Sequence, residues 1–128
     1  MRKKVYIAAK FEDYHRVRQL RDILRERGHH VTYDWTVHVT QGEHPQDYRH
    51  NALMDLRGVA TCDVLIIYPH EQGKGEYVEM GGALILGKPV VALPYDRTKI
   101  RNVFQHHPLV FDVADETEAI EFVENYPV

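Results

Sequence analysis

The chain has a single cysteine, Cys62, among its 128 residues, so it holds no internal disulfide and no multi-cysteine zinc site. Cys62 precedes an apolar run, where a small buried thiol is expected. No apolar run approaches the roughly 18 residues that span a bilayer, and no long apolar segment follows the opening Met-Arg-Lys-Lys, which speaks against a signal peptide. A cytoplasmic location without a membrane partner is the resulting expectation. Charge of one sign is also lacking: the formal net charge of −3 leaves no general electrostatic footprint for nucleic acid. Basic residues do cluster over Arg16–Arg27, but interleaved acids at helical spacing read as a solvated helix face. Repeats, linkers and low-complexity tracts are missing, so residues 1–128 are expected to form one domain. A composition 44% hydrophobic and 27% charged is enough to build its core.

What is present is an alternation of short apolar runs and amphipathic segments. Val5–Ala9 is strand-like, and Tyr14, Val17, Leu20 and Leu24 then recur at helical spacing until Gly28, a natural helix stop. Val31–Trp35 is a weaker strand, and residues 36–46 form a loop long enough to suggest function. A second helix is expected over Asp47–Ala60, with Tyr48, Ala52, Leu56 and Val59 inward. Asp63–Tyr68 reads as a strand buried on both faces, followed by a polar turn at His70–Gly75 and a helix over about Glu76–Gly87. Strands at Pro89–Leu93 and Leu109–Val113 flank a short helical piece near Ile100–Phe104, and Asp115 to about Asn125 is the last helix.

Five such βα units predict an α/β fold: a doubly wound, flavodoxin-like parallel sheet of five strands, order 2-1-3-4-5, with helices on both faces. Ligands of such sheets bind beyond the carboxyl ends of the strands. That edge gathers Ala8–Phe11, the Trp35–Gln46 loop, Tyr68–Gly75 and Pro94–Arg97.

Some residues sit oddly for structure alone. Glu79 falls on a helical stripe of small and apolar residues, beside Met80, Gly82, Ala83 and Leu86, where a carboxylate is costly unless used. Gly81 and Gly82 sit mid-helix at about 1 kcal/mol each relative to Ala, which suggests close backbone packing or approach by a ligand. The competing reading of Glu79 is an acid that complements the helix dipole. Asp55 lies at the edge of its helix's inward stripe, where pairing with Arg57 or Arg101 is the simpler account. Asp63, between a helix and a strand, reads as a turn or capping group, and Tyr6 as a core aromatic. Nine histidines invite a metal, yet the adjacent pairs His29-His30 and His106-His107 diverge on strands and no H-x-x-x-H helix exists. No metal and no cofactor are expected. Gly73-Lys74-Gly75 before a helix could cradle an anion, but lacks the spacing of either phosphate-loop motif.

Several of these residues fall together in one pattern. Lys4-Val-Tyr-Ile-Ala-Ala-Lys-Phe11, then Asp55-Leu56, Asp63-Val-Leu-Ile-Ile, Gly75, Glu79-Met-Gly-Gly-Ala and Leu86-Gly-Lys-Pro-Val90, resembles the nucleoside 2-deoxyribosyltransferase family, including the 2′-deoxynucleoside 5′-monophosphate N-glycosidases. The resemblance implies that Glu79 attacks the anomeric carbon of a nucleoside or nucleotide, that Asp55 protonates the departing base, and that Tyr6 holds the Glu79 carboxylate. It implies substrate contacts at Ala8, Lys10, Phe11, Gly73 and Gly75, and places Asn102 where transferases carry an asparagine that reaches a neighbouring subunit. A homodimer or higher homo-oligomer follows by the same resemblance. Glu79, near a helix N-terminus, should then stay ionised.

The chain departs from the pattern at Gly73, where transferases carry an Asp six residues before the nucleophile, which bears on base recognition. Ala8-Ala-Lys-Phe11 also lacks the Ser- and Gly-rich phosphate loop of the monophosphate glycosidases, although Lys10, Lys74 or Arg97 could substitute. Two functions therefore stand side by side: cleavage of an N-glycosidic bond with transfer of the sugar to another base or to water, and a module that binds nucleosides without reaction. A receiver-like signalling domain is set aside, because the third strand ends Ile67-Tyr68 rather than in a phosphorylatable aspartate.

Overall fold

The computed structural model describes residues 2–39 and 47–127. The strands are β1 (Lys4–Ala9), β2 (His30–Val31), β3 (Val64–Tyr68), β4 (Val90–Ala92) and β5 (Val110–Asp112). The helices are α1 (Tyr14–Glu26), α2 (Tyr48–Thr61), α3 (Gly75–Ile85) and α4 (Glu116–Asn125). The five strands form one parallel sheet in the order β2-β1-β3-β4-β5, as the alternation of elements predicts.

The pleat decides which side of the sheet each β1 side chain serves. Val5 and Ile7 join Val17, Leu20 and Leu24 of α1 and Ala119, Ile120 and Val123 of α4 in one core. Tyr6 and Ala8 face the other way, into a second core with Val59 of α2 and Met80, Ala83 and Leu84 of α3. Both cores meet on β3, every residue of which is buried. The ends of the elements follow local chemistry. The Asp47 and Asp115 side chains cap α2 and α4 by accepting from His50 and Glu118 amides, and Gly28, at φ +87°, ends α1. Lys3 is buried because its Nζ donates to the Val123 and Tyr126 carbonyls at the end of α4.

Three expectations are corrected. The second strand stops at Val31 rather than running to Trp35, because Asp34 accepts from both the amide and the hydroxyl of Thr36 and turns the chain into a short 3-10 helix, Trp35–His38. The expected loop over 36–46 therefore begins as this turn, and residues 40–46 lie outside the described residues. On α2, Tyr48 and Leu56 are exposed and Ala52 is too, while Gly58 and Val59 are buried. The face toward the sheet is the one that carries Gly58, since a Cβ there would lie 2.8 Å from the Tyr6 ring and 2.9 Å from Tyr33. Gly81 and Gly82 show no such need: a Cβ on Gly81 meets nothing within 4 Å, and one on Gly82 makes ordinary contact with Val59 at 3.6 Å.

Alanine at the two kinds of site should act in opposite directions. Gly58→Ala overpacks α2 against Tyr6 and should cost about 1–3 kcal/mol, whereas Gly81→Ala should gain up to about 1 kcal/mol from helix propensity. Urea unfolding of both variants checks this, and equal effects would contradict the packing described.

Candidate active site

At the carboxyl edge of the sheet, between the ends of β1 and β3 and the helices α2 and α3, lies a cleft of about 590 Å³. The loop after β1 supplies Ala9, Lys10 and Phe11 to its wall, and Trp35 closes one end. Trp35 is fixed there by its indole N–H, which donates to the Ile7 carbonyl at 2.9 Å. From α2 come Asn51 and Asp55, one helical turn apart, and from α3 come Gly75, Glu76 and Glu79.

Glu79 sits at the bottom, only 9% exposed, and its Oε2 accepts a hydrogen bond from the Tyr6 hydroxyl. Tyr6 is fully buried, and its donor is aimed at α3 because the pleat of β1 turns it to that face. Burial, then the Glu79 and Asp55 charges, hold the Tyr6 phenol well above its usual value, so it remains a donor. Burial likewise pushes the Glu79 carboxyl up to about 8; the Tyr6 hydrogen bond opposes this, and the nearby Asp55 and Glu76 charges add to it. The expectation that Glu79 stays ionised by its place near a helix N-terminus is thus corrected. It lies beyond the first turn of α3, where the helix end acts weakly and desolvation dominates.

Asp55 is half-buried on the α2 side of the cleft and couples electrostatically to Tyr6, Tyr33 and Glu79. It is brought there by Gly58, three residues on, whose missing side chain lets α2 settle onto Tyr6. Glu76 is a third carboxyl, 2% exposed, with no hydrogen-bond partner on either oxygen. Burial and the Asp13 charge raise it to about 8 against the opposing pull of Lys10. In the sequence Glu76 drew no reading beyond marking the start of the third helix. The signal was its spacing, which puts it on the buried stripe with Glu79, Met80 and Ala83.

Residues 5–120 match the model of the nucleoside 2-deoxyribosyltransferase family. The chain belongs to that family. The fold is shared with the CMP N-glycosidase BcmB of Clostridium botulinum, at 20% identity and a TM-score of 0.67 over 98% of this chain and 100% of that one. It is shared also with a 2-deoxyribosyltransferase of Bacillus psychrosaccharolyticus, at 22% identity and a TM-score of 0.69 over 97% and 92%. Among curated proteins, none matches the chain by sequence. The family and both of these structures are those of enzymes acting on nucleosides or nucleotides. Among the described residues, no helix is long and apolar enough to cross a membrane.

Of the residues that the family pattern singles out, Glu79, Asp55, Lys10, Phe11 and Gly75 line the cleft, with Tyr6 directly behind Glu79. Ala8 does not reach it: fully buried in β1, it packs toward α2 and α3, and Ala9 lines the wall instead. Gly73 lies beneath the Glu76 carboxyl, flanked by Gln72 and Lys74, which do face the cleft. Asn102 stands away from it, its side chain accepting from the Phe104 amide at 2.9 Å to cap the 3-10 turn Val103–His106. Arg97 is engaged by Asp112. Trp35 opens the loop expected at this edge, whereas Asn51, which carries no family motif, was not foreseen as a site residue. Asp63 proves structural, exchanging hydrogen bonds with the Lys4 backbone, and Cys62 is the expected buried thiol.

The raised carboxyl has a consequence for stability. Glu79 is held above the ordinary carboxyl value near 4.3, so folding favours its protonated form and stability falls as pH climbs from about 4.5 to about 8. Glu79→Gln should be more stable than the parent at pH 8 by on the order of 2 kcal/mol, with the gain gone near pH 4.5. Thermal melts across that range measure it, and a pH-independent difference would contradict the burial of the charge.

Proposed function

We propose that this chain cleaves the N-glycosidic bond of a nucleoside or nucleotide by double displacement at the anomeric carbon, with Glu79 as nucleophile. The observation that carries the reading is the buried Glu79 carboxyl at the floor of a cleft, held by the Tyr6 hydroxyl and coupled to Asp55 on the opposite helix. In the first step a Glu79 carboxylate oxygen bonds to the anomeric carbon as the carbon–nitrogen bond breaks, and Asp55 delivers a proton to the departing base. In the second step water or another base takes the sugar, giving its proton to Asp55 and releasing Glu79. Tyr6 is a positioning residue. Its hydroxyl occupies one carboxylate oxygen and leaves the other for attack. Phe11 and Trp35 offer aromatic surface to the base, and Lys10 and Gly75 border the sugar.

The active unit in this reading is a homo-oligomer. Leu53 and Leu56 of α2 and Val78 and Ile85 of α3 are exposed apolar side chains on helices that share one face of the sheet, and Val103 and Phe104 beside Asn102 are exposed as well. A second copy would bury part of this surface and bring its own Asn102 to the cleft. Light scattering should show a dimer or larger species, and Ile85→Glu should shift it toward monomer. A monomer at assay concentration would remove Asn102 from the site.

The test of the reaction is base release from deoxynucleosides, ribonucleosides and their monophosphates, with and without an added free base. Glu79→Ala should abolish release and Asp55→Asn should slow it by about 10²–10⁴-fold. Because the attacking form of Glu79 is the carboxylate, kcat/KM should climb with pH toward about 8. Binding that survives Glu79→Ala, without base release from any substrate, would favour the non-reacting module instead.

A further inference from the structure

Asn51 lines the cleft on α2, one helical turn before Asp55, and the reaction just described gives it no part. Its side chain is held at two points. Nδ2 donates to the Asp47 carbonyl at 2.6 Å, beside the Asn51 backbone amide, which donates to the same oxygen at 3.1 Å. Oδ1 accepts from the Tyr33 hydroxyl at 3.3 Å. A carbonyl oxygen can only accept, so the amide nitrogen must face Asp47 and the amide oxygen must face Tyr33. The side chain is therefore set in one sense before any ligand arrives, which lowers the cost of recognising a directional edge.

The amide is engaged without being saturated. It has two N–H donors and two acceptor lone pairs, and among the described residues Asn51 uses one of each. The two ends are unequally engaged. The contact to Asp47 is short, whereas 3.3 Å is long for a hydroxyl donor, whose usual range is about 2.5–3.0 Å. Oδ1 is thus the end with acceptor capacity to give. A tie at the start of α2 would need only Nδ2, and the side chain is partly exposed.

The neighbour one turn on completes the pattern. In the proposed reaction Asp55 brings a proton to the base, and so meets an acceptor atom on it. An acceptor ring nitrogen beside an exocyclic amino group is found on adenine, at N7 and N6, and on cytosine, at N3 and N4. The oxo bases break this order. Guanine and hypoxanthine follow the acceptor N7 with a second acceptor, O6, and uracil carries an N–H at N3 beside the acceptor O4. A donor from Asp55 next to an acceptor from Asn51 matches the amino bases and mismatches the oxo bases at one or both atoms.

Resting on the N-glycosidic reading above, we propose that Asn51 is a specificity residue for the base. Its Oδ1 accepts from the exocyclic amino group beside the ring nitrogen that Asp55 protonates, so that the chain favours adenine and cytosine over the corresponding oxo bases.

The experiment compares kcat/KM for deoxyadenosine against deoxyinosine and for deoxycytidine against deoxyuridine, in whichever sugar and phosphate form is cleaved. The proteins are the parent, Asn51→Leu and Tyr33→Phe. The bond broken is the same in every protein, so the change in an amino-to-oxo ratio reads the side chain and not the lability of the base. In Asn51→Leu the ratio should fall by about tenfold, through loss of the amino substrate. Tyr33→Phe removes the competing donor to Oδ1 and should leave the ratio equal or higher. A ratio in Asn51→Leu within about twofold of the parent's overturns the proposal. An equal fall in both variants overturns it too, since the amide would then act only as a tie for α2. Calorimetric titration with the same nucleosides separates this from the reaction itself. If no protein releases base, the catalytic reading fails, and the ratio of amino to oxo affinities in parent and variants still decides the role of Asn51.

Discussion

A buried carboxyl is costly in a protein core unless something answers it, and for Glu79 the answer is the hydroxyl of Tyr6. That hydrogen bond joins β1 to α3, the helix that follows β3, across a second core that is otherwise apolar. It constrains much around it. Tyr6 must lie on the α3 side of β1, so Val5 and Ile7 serve α1 and α4; a slip of one residue would exchange the two sets. The parallel pairing of Tyr6 with Leu65 then sets the height of β3, and hence where α3 begins and how deep Glu79 sits.

The same tyrosine governs the opposite wall. Its ring fills the space that a side chain at position 58 would need, so α2 can approach only with glycine there. Asp55 precedes Gly58 by three residues and therefore rides on the same side of the helix, toward the cleft. Glu79 and Asp55 come from two different helices, yet the placing of both depends on one aromatic side chain. The phenol's burial keeps it protonated, which lets it donate to Glu79 without adding a third negative charge beside Asp55.

The order of strands was legible because each βα unit carries its own period and its own stop, as at Gly28, and because right-handed crossovers leave few arrangements. Glu79 was legible for a related reason: a carboxylate on an apolar stripe breaks a local rule, and Tyr6 and Asp55 followed from the family pattern. The inward face of α2 was not legible, because its decisive residue is one without a side chain. Counting apolar positions favoured Tyr48 and Leu56, while the packing follows Gly58. The protonation of Glu79 was misjudged by weighing helix position, which is visible in sequence, above desolvation, which is a property of the assembled core. Glu76 was hidden by its conventional place in a first helical turn. Trp35 depends on an Asp34 turn that cuts a strand short, a contest between local and sheet hydrogen bonding that composition does not resolve.

The raised value of Glu79 bears on how the proposed double displacement would work. With its carboxyl raised to about 8, Glu79 is mostly protonated at pH 7, so the empty cleft would hold the proposed attacking form as the minor species. In return, the carboxylate that does form is poorly solvated, more basic than one in water, and has little hydration shell to shed before attack. The substrate then changes the balance itself. In the proposed reaction, positive charge would grow on the sugar beside Glu79 as the glycosidic bond lengthens, and an ion pair would form where an isolated anion was costly. The stabilisation would thus be greater for the transition state than for the empty site, which is the condition for accelerating the chemical step rather than only tightening binding. A carboxylate already paired with a lysine or arginine would be fully ionised at rest, and its cationic partner would oppose the same growing charge. Tyrosine avoids that conflict, since its hydroxyl fixes the carboxyl in place without adding a positive charge to the site.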